Sequence, residues 1–419
     1  MKIFKFGGAS VKDADGVKNV TQVIQKVGQE NTLMVISAMG KTTNALELVI
    51  QLYFEKSSEL SASIQEVKKY HNQIVIELFD NTQHPVFVAV NQHFEDLIFF
   101  LKHNKSPNYS FVYDQVVSFG EIISTTIVSH YLNEVGIKNQ WLDVRNLIKT
   151  DASNRDAQVD WVQTQNAIIS AIKKNRIYVT QGFLGSDSNN FTTTLGREGS
   201  DYSAAIFAYC LNAENVTIWK DVPGVMNADP RFFENAVLLN QISYREAIEL
   251  AFYGATVIHP KTLQPLQRKE IPLFVKSFIH PLLPGTRVSK GADLEPMTSC
   301  FIVKKNQLLI SLSSIDFSFI MEEHISEIFA LLHQNKMKVS LIQNSAISFS
   351  VCIEDKYLQI ESLKTKLSKK FQVQIFPNVS LYTIRHFSEE AKNMVESGKK
   401  VLVKQILGDT LQIITEDLV

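Results

Sequence analysis

An apolar strand that breaks into a glycine-bearing polar loop and hands over to a helix recurs through the earlier part of this chain, and that order leaves few folds open. KIFKFGG at 2–8 reads as a strand ending in a double-glycine turn, and in the segment after it Val17, Val20, Ile24 and Val27 recur at helical spacing. TLMVISAMGKTTN at 32–44 repeats the break from strand to loop. Residues 45–130 are mostly helical in pattern, with HNKSPNYS at 103–110 as the clearest loop. Beyond them QWLDV, RIYVTQGFLG and NVTIWKDVPGV read as strands, each running into a polar or glycine-bearing segment. The alternation predicts an α/β fold, an open sheet sandwiched by helices, with the functional site in the loops beyond the strand ends. PLLPGTRVSKGADLEPM at 281–297 concentrates Pro and Gly and marks a domain boundary. After it, short strands (QLLISLSS, AISFSVCIE, FQVQIF, VSLYTIR, KVLVKQI, TLQIIT) alternate with helices in the manner of small α+β modules.

At 419 residues and 45% hydrophobic content the chain can hold two or three domains, since one core seldom extends past ~250–300 residues. Lys and Arg number 42 against 43 Asp and Glu, a net charge of -1, so nothing pulls the whole molecule toward nucleic acid or a membrane. A charged ligand must be held locally. Cys210, Cys300 and Cys352 are far apart and outside any CxxC spacing, which suggests neither a disulfide framework nor a zinc site. With no secretion signal and no run of ~18 apolar residues, a cytoplasmic protein is expected.

TTTLGREGSDYSAA at 192–205 places hydroxyls, glycines, one cation and carboxylates at the start of an apolar helix. Free backbone donors at a helix start suit an anion. The plainer reading makes Ser200 or Asp201 an N-cap. KFGGAS supplies a second glycine turn opening a second helix, with Lys5 on the strand before it, and two anion cradles imply a polyanion; a lone strand lysine would otherwise be an edge or surface residue. Glu121 in QVVSFGEIISTT reads as a carboxylate at a helix start, where dipole complementarity alone would explain it. In WKDVPGVMNADPR turn chemistry accounts for the prolines and the glycine and leaves Arg231 unexplained.

Taken in order, KFGGASV (5–11), VISAMGKTTN (35–44), SFGEIIST (118–125), TQGFLG with TTTLGREGSDYSAA (180–205), IWKDVPGV with DPR (218–231) and YGATVIHPKTLQP (253–265) strongly resemble the aspartate kinases of the amino-acid kinase superfamily. The resemblance covers residues 1–290 nearly continuously and implies transfer of the ATP γ-phosphoryl group to the β-carboxylate of L-aspartate, with ATP and Mg²⁺ required. It implies Lys5 and Asp201 as catalytic groups, Asp201 orienting Lys5 or reaching Mg²⁺ through water. Arg197 would take the substrate α-carboxylate, Glu121 its ammonium, and Ser37, Thr43 and Ser200 the reacting carboxylate. Gly7, Gly8 and Ser10 would line the phosphates with Lys5, and Asp221 and Arg231 would bind the nucleotide. No metal site built from the protein alone is implied.

The chain departs from the family pattern at Ala9, Lys220, Met226 and Thr256, all near the nucleotide, and Lys220 or Lys261 is expected to replace a missing cation. The C-terminal part resembles paired ACT regulatory modules, residues 306–375 as one and 298–305 with 376–419 as a second, shortened one. A homodimer through these modules and an amino-acid effector are implied. Ser340 and Ala346 stand where lysine-sensitive relatives carry acids, which leaves lysine, threonine and no effector equally open; no fused homoserine dehydrogenase is expected. Two alternatives stay open: a kinase of another carboxylate substrate, and an impaired member acting as an amino-acid sensor.

Overall fold

The computed structural model describes residues 1–28, 30–255, 258–316 and 318–417, so Thr256 lies outside the described residues. The chain forms two compact units, one of Met1–Val225, Leu238–Ile248 and Val257–Pro296, the other of Met226–Val237, Glu249–Thr256 and Met297–Val419.

The first unit holds strands β1 (Lys2–Phe6), β2 (Thr32–Ile36), β3 (Gln140–Leu142), β4 (Ile177–Gln181), β5 (Leu184–Ser186), β6 (Thr192–Thr194), β7 (Asn215–Lys220), β8 (Gln241–Ser243), β9 (Leu273–Ser277) and β10 (Thr286–Ser289). Eight make one sheet in the order β3-β4-β2-β1-β7-β9-β10-β8, while β5 and β6 form a separate hairpin. All pairings in the large sheet are parallel except β9 with β10. Parallel strands joined by helical crossovers are covered on both faces and become continuously apolar, and TLMVI in β2 and IYVTQ in β4 are buried throughout. Lys5 lies mid-sheet, paired in register with Val35 on one side and Ile218 on the other, which excludes the edge-strand reading.

Glu121 does not start a helix, as the sequence suggested; it lies inside a 26-residue helix, Tyr109–Glu134, capped by the Asn108 side chain. Nearly every residue from Val112 to Val128 is buried, so the helix shows no apolar stripe by which its passage through Gly120 could be followed. KFGG likewise enters a short 3₁₀ turn, Gly8–Val11, before the α-helix Ala14–Val27 begins under an Asp13 cap.

The second unit is an antiparallel sheet of β11 (Cys300–Ser314), β12 (Lys338–Asn344), β13 (Ser348–Glu354), β14 (Phe371–Arg385), β15 (Lys399–Leu407) and β16 (Thr410–Asp417), ordered β12-β13-β11-β14-β16-β15. FQVQIF and VSLYTIR, expected as two strands, are one strand running through Pro377, because Asn306 in β11 and Asn378 in β14 take left-handed φ of 56° and the ladder shifts register nearby. β12 was not foreseen. Its burial is irregular, which hides the period of two that marks a half-buried strand.

Candidate functional site

A cavity of about 520 Å³ opens where the loops after β1, β2 and β4 meet the start of helix Gly199–Leu211. Eight of the residues singled out from sequence line it: Lys5, Gly8, Ser37, Thr43, Glu121, Arg197, Ser200 and Asp201. Lys220, at the end of β7, lines it as well.

Lys5 Nζ lies 2.7 Å from Asp201 Oδ1, an ion pair whose side chains are 11% and 4% exposed. Withdrawing two charges from water is costly, and removing one partner of such a pair costs more, so the ammonium is held firmly where it stands. Asp201 sits in the first helical turn, and neither it nor Ser200 is the N-cap. That position belongs to Glu198, at φ 54° and without a side-chain capping bond. The Gly199 and Asp201 N–H groups donate to Gly196 and Glu198 carbonyls, and among the described residues the Ser200 N–H meets no protein acceptor. A donor left open at a helix start beside an ammonium is suited to phosphate oxygens.

Glu121 is buried, with Oε1 accepting from the Ala38 N–H at 3.4 Å and Oε2 meeting no partner among the described residues. Burial pushes its carboxyl up to about 8, against the opposing pull of the Ala38 N–H and Lys5. Ser124, one turn on, donates to the Ser37 carbonyl at 2.8 Å, so the long helix fixes the SAMG loop at two points. Arg197 is exposed at the cavity, and among the described residues its guanidinium forms no ion pair.

Gly8 is pressed against that same loop. A Cβ there would lie 2.7 Å from the Ala38 carbonyl oxygen and 2.9 Å from that of Gly40. Gly8→Ala is therefore expected to push the two loops apart and cut activity by roughly a hundredfold, with the protein still folded by circular dichroism. Activity within threefold of wild type would show that the loops can part without consequence.

The remaining candidates fall elsewhere. Ser10 is buried, its hydroxyl directed at the Trp219 carbonyl 3.5 Å away, and Gly7 borders the Lys5 ammonium, where a Cβ would lie 3.3 Å from Nζ. Asp221 is exposed and does not line the cavity. Arg231 belongs to the second unit, where its side chain is 80% exposed and pairs with Asp229 at 2.6 Å. Lys261 forms an ion pair with Asp156. Sequence reasoning missed Tyr113 and Arg155, which also line the cavity. Tyr113 lies eight positions before Glu121 in one helix, a signal that needs the continuity of that helix through Gly120; Arg155, in a polar loop, gives none.

A parallel sheet with a cationic, glycine-lined cavity at its strand ends and a helix start facing into it defines a protein that holds a phosphorylated ligand. The chain belongs to the amino acid kinase family, whose sequence profile matches residues 1–277. It is similar to lysine-sensitive aspartokinase 3 of Escherichia coli (strain K12), 29% identical over 394 residues, 91% of this chain and 86% of that protein. The chloroplastic bifunctional aspartokinase/homoserine dehydrogenase 1 of Arabidopsis thaliana is 27% identical over 404 residues, 90% of this chain; the chain spans 44% of that relative's length. Among solved structures, E. coli aspartokinase III in complex with lysine and aspartate matches with TM-score 0.84 at 27% identity, covering 99% of this chain and 95% of that one. The same enzyme with aspartate and ADP matches with TM-score 0.78 at 26% identity, covering 99% and 96%.

Proposed function

We propose that this chain is an aspartate kinase, transferring the γ-phosphoryl group of ATP to the β-carboxylate of L-aspartate. The observation that carries the reading is Glu121, a buried carboxyl group with one oxygen unpartnered among the described residues, in a cavity that also presents the Arg197 guanidinium and the Lys5–Asp201 pair. An α-amino acid offers an ammonium to the first and a carboxylate to the second. A second carboxylate in the same molecule then faces the phosphoryl group beside Lys5. A carboxylate is already a nucleophile at neutral pH, so the cavity needs no deprotonating base, and its contribution is orientation plus charge stabilisation. Lys5 and the helix-start donors meet the charge spread over the transferring phosphoryl, while Ser37, Thr43 and Ser200 hold the attacking carboxylate in line.

Mg²⁺ would arrive on the nucleotide. Among the described residues no group of three or more Asp, Glu, His or Cys could hold a metal, and a nucleotide-borne Mg²⁺ needs only one or two carboxylates, which Asp201 suits through water. When bound, the ion supplies charge neutralisation at the phosphates.

The catalytic domain is read as residues 1–290, with Asp221 and Arg231 assigned to the nucleotide. Residues 306–375 form one ACT-like module, and 298–305 with 376–419 the other. Two apolar clusters each fall on one side of this division, one around Ile310, Phe349 and Leu363, the other around Tyr382, Val395 and Leu411, while a third, with Leu309, Leu341 and Cys352 against Val379, Leu381 and Ile414, joins the two modules. The reading includes a cytoplasmic homodimer joined through these modules and an amino-acid effector bound to them. Assay of the purified chain with ATP and aspartate, glutamate or other amino acids tests the activity; product from aspartate alone is expected, and product only from another acid, or none, overturns it.

The raised Glu121 pKa adds a second test. Free Glu121 is largely protonated at pH 7, and an ammonium beside it restores the carboxylate, so aspartate binding should release close to one proton. Calorimetry in buffers of different ionisation heat measures this directly. Glu121→Gln should abolish the release and weaken aspartate binding roughly a hundredfold; equal proton release in both forms contradicts the assignment. The sign for folding is opposite to that of an ordinary paired carboxylate. A raised pKa means the folded state holds more protons than the unfolded one between about pH 4.5 and 8, so this group's contribution to stability falls as pH rises through that window.

A further inference from the structure

The loop DASNRDAQ, residues 151–158, drew no function from sequence, yet it is fastened to the cavity by an unusual anchor. Asp114 is completely buried, and its carboxylate accepts from Thr194 Oγ1 at 2.7 Å, Asn154 Nδ2 at 2.9 Å and the Arg155 N–H at 3.1 Å. One carboxylate thereby ties the long helix, strand β6 and the loop at a single point. Arg155 itself takes φ 67°, a conformation unfavourable for a side chain of its size, and the clamp holds it there. The Ala157 N–H donates to the Thr194 carbonyl at 2.9 Å, which runs the loop alongside the segment leading to Arg197. At the crossing a Cβ on Gly196, where φ is 79°, would lie 2.5 Å from Asp156 Oδ1 and 3.3 Å from the Arg155 carbonyl oxygen. Residues 155 and 197 therefore flank one backbone contact.

The Arg155 side chain turns into the cavity it shares with Arg197 and Glu121, its guanidinium carbon 4.1 Å from the centroid of the Tyr113 ring. Stacking on an aromatic face orients a guanidinium and leaves its donor edge open. Arg155 forms no ion pair among the described residues.

We propose that Arg155 is a second carboxylate-binding cation of this cavity, sharing with Arg197 the substrate carboxylate that does not react, and that Asp114 is the residue that positions it. The inference rests on the aspartate kinase reading and adds a contact to it. The reacting carboxylate must reach the phosphoryl group beside Lys5, so two guanidiniums on adjoining loops serve the other one. A carboxylate has lone pairs enough for two such partners.

The test uses the full-length chain and steady-state kinetics with both substrates. Arg155 is exposed, so R155A should fold normally. It should raise the KM for aspartate roughly tenfold, lower kcat less than threefold, leave the KM for ATP within twofold, and flatten the fall of kcat/KM with added salt. R155K should recover part of the loss. D114N should reproduce the KM effect, and D114N/R155A should be no worse than the poorer single variant, because both remove one contact. A KM for aspartate unchanged in R155A, or additive losses in the double variant, overturns the inference while leaving the kinase reading intact. Should the wild-type chain phosphorylate a different amino acid, the kinase reading fails, and the same comparison with that substrate decides the role of Arg155. Should it phosphorylate none, calorimetric affinity for aspartate in wild type against R155A decides it.

Discussion

Changing Lys5 to methionine is expected to lower kcat roughly a thousandfold while shifting the KM for aspartate only a few-fold. The ammonium lies mid-sheet against Asp201, and charge that develops on a phosphoryl group beside it would find its stabilising cation already in place. The substitution also strands Asp201 as a buried, unpaired carboxylate, which should destabilise the fold by about 3–5 kcal/mol. Those two losses can be separated. Adding Asp201→Asn to Lys5→Met removes the stranded charge and should restore most of the melting temperature without restoring turnover. If the double variant regains both, Lys5 serves the fold and not the reaction.

Arg197→Gln should act on the other kinetic constant. Its guanidinium meets no carboxylate of the protein among the described residues, so a ligand carboxylate gains two charge-assisted hydrogen bonds at little conformational cost. Removing them should raise the KM for aspartate roughly a hundredfold, about 3 kcal/mol, with kcat less affected and the KM for ATP little changed. Lysine at the same position should recover only a small part, since a point charge cannot reproduce a two-pronged contact. A larger effect on ATP than on aspartate would move Arg197 to the nucleotide.

What the sequence discloses here depends on how locally each feature is encoded. The α/β class, the break in rhythm after residue 297 and the cluster of Lys5, Arg197, Ser200 and Asp201 are legible because a strand, its glycine turn and the next helix are contiguous. Glu121 lies inside a helix and not at the helix start that its sequence neighbourhood suggests. The loop at 103–110 marks the start near Tyr109, but a helix buried on nearly all sides carries no apolar stripe to show that it runs unbroken through Gly120, and so does not show that Tyr113, Asp114 and Glu121 share it. Arg155 is brought to the cavity by a long-range bond to Asp114, forty-one positions earlier, and no local pattern records such a bond. β12 and the continuity of β14 were lost for a related reason, since pairing partners rather than composition define them.

The 26-residue helix that carries Tyr113, Asp114 and Glu121 bears on how substrate preference can change. From Tyr113 to Glu121 the axis rises about 12 Å, a spacing set by helical pitch. Because most side chains along that span pack against neighbours, the Glu121 carboxyl cannot slide or tilt without loosening the first unit as a whole. Selection for a longer or shorter amino acid would leave this ruler alone. It would act on Arg155 and Arg197, whose side chains reach the cavity from exposed loop positions.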